Sequence, residues 1–235
     1  MIKTLVVIPA YNEEQSIVSV VSGLVACCPG LDYLVVNDGS TDGTARLCAD
    51  QGFALLDLPT NLGLAGAVRA GMRFACDQGY DAVVQFDSDG QHRPEYLPSL
   101  LAPLDDGYDI VCASRFLDAR KPLSMRMMGS RLIALAIRLT TGVRLTDPTS
   151  GQRAYHRRVF KQFVTEPNMT PEPDTVSFLI KCGARVTEVP VRMDERRFGS
   201  SYLTALRSTK YMLRIAISII ILQPFRLRCD LGRQQ

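Results

Sequence analysis

The sequence predicts an α/β protein built on a mostly parallel sheet. Short apolar runs at 4–8, 33–36, 54–58, 82–86 and 109–113 alternate with helix-like segments. That rhythm is the signature of strand–helix–strand units. The runs are also apolar at consecutive positions, as in Leu5-Val6-Val7-Ile8. Strands covered by helices on both faces read this way, whereas half-exposed strands alternate.

The helix-like segments cover 14–27, 44–51, 64–78 and 94–104. Beyond residue 115 the rhythm changes. Helical patterns are expected at 125–139, 175–182 and 202–222, with one more strand at 185–191. The chain shows no internal repeat or linker. The expected organisation is one large unit over 1–206 and a basic amphipathic helix and tail over 207–235.

Composition narrows the class. The 235 residues are 46% hydrophobic and 22% charged, with a mean hydropathy of +0.05. A disordered, collagen-like or disulfide-scaffold chain is excluded. No apolar run reaches the ~18–20 residues of a spanning helix. The first residues read as a strand and not as a signal peptide. Seven cysteines without a Cys-x-x-Cys pair point to a reducing compartment and away from a zinc cluster. Two histidines speak against a histidine metal centre.

The net charge of +3 conceals a division. Residues 1–110 carry five basic and fifteen acidic side chains, and residues 111–235 carry 22 basic and nine acidic. Two surfaces with different partners are implied. The basic half suits anionic lipid or a phosphorylated substrate, and the acidic half makes nucleic acid a poor partner.

Chemistry gathers where strands end. Asp87-Ser88-Asp89 follows the strand at 82–86. Two carboxylates at i and i+2 need a compensating cation, and Mg²⁺ or Mn²⁺ suits such oxygens. Gln91 adds an amide oxygen two residues on. Ligands of open α/β sheets bind at the carboxyl ends of the strands. Pro9-Ala10-Tyr11-Asn12-Glu13-Glu14 follows the first strand and Asn37–Thr44 the second, at the same expected edge. There Tyr11 can pack on a base, and Glu13 or Asp38 can accept from base or ribose. Taken singly, these loops also read as helix starts and turns. No GxGxxG follows strand 1, and neither GxxxxGK[ST] nor GxSxG occurs. Gly66 and Gly71 fall inside a helix, where close packing explains them.

Together VVIPAYNEE, VVNDGSTDGT, NLGLAGAVRAG, QFDSDGQHRPE, ASRF and TDPTSGQRAY resemble glycosyltransferase family 2, in its dolichyl-phosphate mannosyltransferase-like and bacterial polyprenyl-phosphate branch. The resemblance runs from about Thr4 to Leu206. It implies a GT-A fold, a nucleotide-diphosphate-sugar donor and a divalent metal, Mg²⁺ or Mn²⁺. By motif, Pro9, Tyr11, Glu13, Val36 and Asp38 resemble the nucleotide pocket. Asp87, Ser88 and Asp89 resemble the donor and metal motif, with Gln91 beside the metal and Asp89 at the reaction centre. Arg115 and Arg196 resemble donor-phosphate arginines; Arg126, Arg131, Arg153 and Arg197 are further candidates. Relatives often carry a lysine after the glycine of the RxxG segment, and Gly199-Ser200-Ser201-Tyr202 has none.

The acceptor is read from charge and hydropathy. A hydroxyl acceptor needs a general base, and Glu172 or Asp174 is the candidate. Both also suit the start of the helix at 175–182. A lipid phosphate needs no base, because its second pKa is about 6. The segment KYMLRIAISIIILQPFRLR, 210–228, reads as an interfacial helix. The helix at 125–139 reads as a second one. The alternative is core packing or an oligomer interface.

The expectation is thus an inverting, metal-dependent transferase acting on polyprenyl phosphate. It is expected in the cytoplasm, peripheral on the inner face of the membrane, docked on lipid, on a small membrane-protein partner or on its own copy. The competing readings are a transferase extending a lipid-linked or capsular glycan and a non-catalytic sugar-nucleotide-binding subunit.

Overall fold

The structure is a computed structural model that describes residues 2–166, 168–194, 205–226, 229 and 231, with the backbone alone at 126 and 205–209. Arg196, Arg197 and the 199–202 segment lie outside these residues, as does the side chain of Arg126.

Seven strands form one sheet in the order β3-β2-β1-β4-β6-β5-β7. They are β1 (Thr4–Ala10), β2 (Asp32–Asn37), β3 (Leu55–Asp57), β4 (Ala82–Gln85), β5 (Ile110–Ser114), β6 (Arg153–His156) and β7 (Val186–Pro190). Strands β1 to β4, β5 and β7 run one way, and β6 runs against both neighbours. The start of β6 therefore lies at the same edge as the ends of the other strands. Every residue of β1, β4 and β5 is buried, which accounts for their unbroken apolar runs.

Helices cover both faces. α1 (Ile17–Cys27), α2 (Thr44–Asp50) and α4 (Leu97–Asp105) pack on one side around Val6, Ile8, Val84 and Phe86. α3 (Gly63–Asp77), α5 (Met125–Thr141), α6 (Arg157–Thr165), α7 (Pro173–Lys181) and α8 (Ala205–Ile217) cover the other. α3 comes so close to β1 that a Cβ at Gly71 would lie 2.4 Å from Val7 Cγ1. Only glycine fits there, as the close-packing reading required.

Three elements differ from the sequence expectation. β6 and α6 fall in a stretch that showed no evident pattern. β6 is four residues long and contains a buried arginine, so it lacks an apolar run. The C-terminal helix expected at 202–222 is described from Ala205 as an α-helix to Ile217 and a π-helical turn over Ser218–Leu222. Met212, Ile215 and Ile219 enter the core shared with the sheet. Residues of this C-terminal segment thus contribute to the main core. Its outer side leaves Leu213, Ile217, Ile220, Ile221, Leu222 and Phe225 exposed. α5 likewise exposes Met125, Met128, Leu132, Leu135 and Leu139. Among the described residues no helix is long and apolar enough to cross a membrane.

Candidate active site

Four strand ends and the start of β6 supply the site. The loops after β1 and β2 are sewn together. Asn12 takes a left-handed φ of 56°. Its amide oxygen accepts from Thr41 N at 2.8 Å, and its own N–H donates to Ser40 Oγ at 2.9 Å. Glu13 N donates to Thr44 Oγ1, and the Glu13 carboxylate accepts from Ser16 Oγ at 2.6 Å. Asp42 accepts from Thr44 N, Thr44 Oγ1 and Glu14 N. Burial opposes its ionisation, but these hydrogen bonds outweigh it and hold its carboxyl below the usual value.

Asp38 is buried, and its carboxylate accepts from Leu62 N at 2.7 Å. Its backbone N–H donates to Ala10 O, which ties it to the end of β1. Pro9 and Val36 are buried neighbours in the β1–β2 register. Tyr11 stands half-buried at the loop's head. The structure thus brings Pro9, Tyr11, Glu13, Val36 and Asp38 to one edge.

Asp87, Ser88 and Asp89 follow β4 at that edge. Ser88 is buried and donates to Pro9 O at 2.8 Å, so it braces the acidic turn against β1. Asp89 is buried and accepts from Gln91 N at 3.0 Å. The Asp87 carboxylate accepts from the Gln85 amide at 3.2 Å. Asp87 N donates to His92 Nδ1 at 2.9 Å, and His92 Nε2 lies 3.6 Å from Asp87 Oδ2. In the loop before β6, Gly151 faces the same carboxylate: a Cβ there would lie 2.9 Å from Asp87 Oδ2. Gln91 turns its amide nitrogen to Asp194 O at 3.3 Å. Arg93 grips the Asp194 carboxylate through two nitrogens.

The donor set fits a hard divalent cation. Two carboxylates stand two residues apart on a braced turn. Among the described residues no group of three His, Cys, Asp or Glu is placed to hold a metal. A Mg²⁺-like ion bound by one or two carboxylates completes its shell with water and substrate phosphate.

Arg115, at the end of β5, forms a bidentate pair with Asp147, Nε to Oδ2 at 2.6 Å and Nη2 to Oδ1 at 3.0 Å. Glu188 of β7 accepts from Thr146 N and Asp147 N. This pair braces the loop before β6. Beside it Lys121 donates to Ser130 Oγ, and Arg131 reaches Lys121 O at 2.6 Å.

Glu172 and Asp174 lie where α7 meets α8. Glu172 accepts from Arg214 at 3.3 Å. Burial pushes its carboxyl above the ordinary value against the pull of Arg214. Asp174 accepts from Ser218 Oγ at 2.9 Å and from Thr175 N at 2.9 Å, and its carbonyl takes the Gln223 amide. Both acids thus join α7 to the C-terminal segment. The buried Arg153 links this corner to the sheet edge by donating to Pro148 O and Pro171 O. Sequence reasoning missed His92, Asp147 and Gly151 as site residues. All three stood inside quoted motifs, but their contacts cross the fold.

A family model described as glycosyl transferase family 2 matches residues 5–164. The chain belongs to glycosyl transferase family 2. This family 2 glycosyltransferase is 32% identical over 227 residues to the polyprenol monophosphomannose synthase of Mycolicibacterium smegmatis, covering 91% of this chain and 86% of the relative. It is 34% identical over 215 residues to the undecaprenyl-phosphate mannosyltransferase of Micrococcus luteus, covering 86% and 88%. In fold it resembles the glucosyl-3-phosphoglycerate synthase of Mycobacterium tuberculosis, solved with Mn²⁺, uridine diphosphate and phosphoglyceric acid. That likeness has a TM-score of 0.65 at 22% identity, covering 94% of this chain and 78% of the other. The mixed sheet, with its antiparallel β6, is a GT-A fold.

Proposed function

We propose that this glycosyltransferase moves a sugar from a nucleotide-diphosphate-sugar to polyprenyl phosphate at the cytoplasmic face of the membrane, with inversion and with a divalent metal. The observation that carries the reading is the gathering of acidic residues at one sheet edge together with exposed apolar side chains on α5 and the C-terminal segment. Asp38, Asp87 and Asp89 gather on the donor side. The exposed apolar surfaces of α5 and α8, with their basic residues, lie in the basic half.

Asp38, Glu13 and Tyr11 hold the nucleoside. Asp87 and Asp89, with Gln91 nearby, would hold Mg²⁺ or Mn²⁺, and the bound ion would supply neutralising charge for the leaving diphosphate. Arg196 is proposed to meet the same phosphates. Arg115 positions the loop before β6 while Lys121 and Arg131 offer positive charge on the acceptor side. An acceptor phosphate oxygen forms the new bond to C1 as the bond from C1 to the diphosphate breaks. The electron pair leaves with the nucleoside diphosphate. No base is needed, because the acceptor is already largely dianionic near neutrality.

This favours a lipid phosphate over a hydroxyl acceptor. A hydroxyl would require Glu172 or Asp174 as base, and both are engaged in holding α7 to α8. The seven cysteines are free thiols, in keeping with the cytoplasmic side. The relatives named for polyprenyl and undecaprenyl phosphate support the acceptor class.

The test is transfer of radiolabelled sugar to undecaprenyl phosphate in vesicles, with Mg²⁺, Mn²⁺ or EDTA. Label should enter the organic phase only with metal. Asp89→Asn should lower transfer by at least about 100-fold, as loss of transition-state charge stabilisation does, while thermal unfolding stays unchanged. Metal-dependent transfer to a glycan and none to lipid would move the assignment to the hydroxyl-acceptor class. Donor binding without turnover on any acceptor would leave a binding subunit.

A further inference from the structure

We propose that His92 is a positioning residue for the metal-binding carboxylate of Asp87. The inference rests on the metal-assisted reading above and adds a residue to it.

The geometry is specific. Asp87 N donates to His92 Nδ1 at 2.9 Å, so Nδ1 is the unprotonated ring nitrogen. The hydrogen of the neutral ring then sits on Nε2, which lies 3.6 Å from Asp87 Oδ2. That is too long for a hydrogen bond, but it brings the ring nitrogen close enough for an electrostatic attraction to the carboxylate. One ring thus addresses both the backbone and the side chain of the same residue. The imidazole is itself immobilised. Its side chain is 3% exposed, and its ring meets Phe86 edge to face at 5.5 Å and 71°. Phe86 is the last buried residue before the acidic turn. The end of the strand, the ring and the carboxylate are therefore packed side by side.

His92 is not offered as a ligand. Its Nδ1 is committed to Asp87 N. The role is outer-shell support, in which a partner fixes the orientation of the group that binds the ion. Losing such partners typically costs 10–100-fold in metal affinity. Among the described residues, the Gln85 amide also donates to Oδ1, and Gly151 leaves no room for a side chain beside Oδ2. With His92 they restrict how Asp87 can turn. A side chain already oriented loses less freedom when the ion arrives.

Mn²⁺ binding tests this in the full chain, followed by electron paramagnetic resonance with UDP, GDP or dTDP present in separate titrations. His92→Phe keeps a ring beside Phe86 and removes both nitrogens. His92→Asn offers an amide oxygen to Asp87 N but brings no donor to Oδ2. Mn²⁺ affinity should fall roughly 10–100-fold in His92→Phe and to an intermediate value in His92→Asn, with an altered Mn²⁺ spectrum in both. Variants that melt like the wild type and bind Mn²⁺ with unchanged affinity and spectrum would overturn the proposal and leave the metal reading intact. If His92→Phe does not fold, His92→Asn decides alone, and wild-type affinity there overturns it. A wild-type protein that binds no Mn²⁺ with any of the three nucleotides would overturn the metal reading and this proposal together.

Discussion

Arg115 and Asp147 form a two-pronged ion pair across 32 residues of chain, and the aspartate side chain is fully buried. The pair closes the end of β5 onto the loop before β6. Removing one partner of a buried pair costs more than removing both, because it leaves a charge without compensation. Arg115→Met should therefore destabilise the protein by about 3 kcal/mol. The double variant Arg115→Met, Asp147→Leu should recover part of that loss. Urea unfolding of the two singles and the double gives the coupling directly. Strict additivity would mean that the pair is not a brace.

Gly151 gives a cleaner separation of activity from stability. A Cβ there would collide with the tip of Asp87 and not with backbone. Rotating one carboxylate away is cheap for folding and costly for a site that depends on its direction. Gly151→Ala should keep its melting temperature within a few degrees and lose about 100-fold in transfer rate, an order of magnitude in keeping with mispositioned catalytic groups. The paired measurements are thermal denaturation and the lipid transfer assay.

Asp42 predicts a pH dependence of stability. Hydrogen bonds from Thr44 and Glu14 overcome its burial and hold its pKa below the ordinary value of 3.8. The native state therefore favours the carboxylate. The stability this contributes is complete above pH 3.8 and is lost as pH falls through the folded value. Asp42→Ala should cost about 1–2 kcal/mol at neutral pH. The gap between variant and wild type should narrow below pH 3.8, as followed by denaturant unfolding across pH 3–7.

Leu222 and Phe225 test membrane contact. They are 60% and 87% exposed at the end of the C-terminal segment. Replacing both by serine should leave folding intact, because neither supports the core. It should weaken sedimentation with anionic vesicles about tenfold, as a loss of ~1.4 kcal/mol of apolar burial would. Equal sedimentation of the two proteins would place the lipid contact elsewhere.

Strands β1, β2, β4 and β5 were legible because each carries a short apolar run. The expected strand at 33–36 became Asp32–Asn37, and that at 109–113 became Ile110–Ser114. Asp87 and Asp89 were legible because a strand end fixes their location. β6 was not legible, since Arg-Ala-Tyr-His has neither an apolar run nor alternation. α6 could have been found: Val159, Phe160 and Phe163 mark one buried face. His92 stood in plain view within QFDSDGQH, but its partner is the backbone of Asp87, which no residue pattern reveals. The same holds for Arg115, whose motif is readable and whose engagement with Asp147 is not.

The reversed direction of β6 bears on how the protein folds. β4 and β5 flank β6 without touching across it, so the central sheet stays open until a segment some 40 residues beyond β5 arrives. Such late, long-range closure is slow compared with local pairing. Gly151 reaches Asp87 only through that closure. Ligand competence is therefore a property of the finished chain: early intermediates built from the first hundred residues can carry the acidic turn, but they lack its opposing wall. Hydrogen exchange during refolding should show protection of β6 arriving after that of β1 and β4.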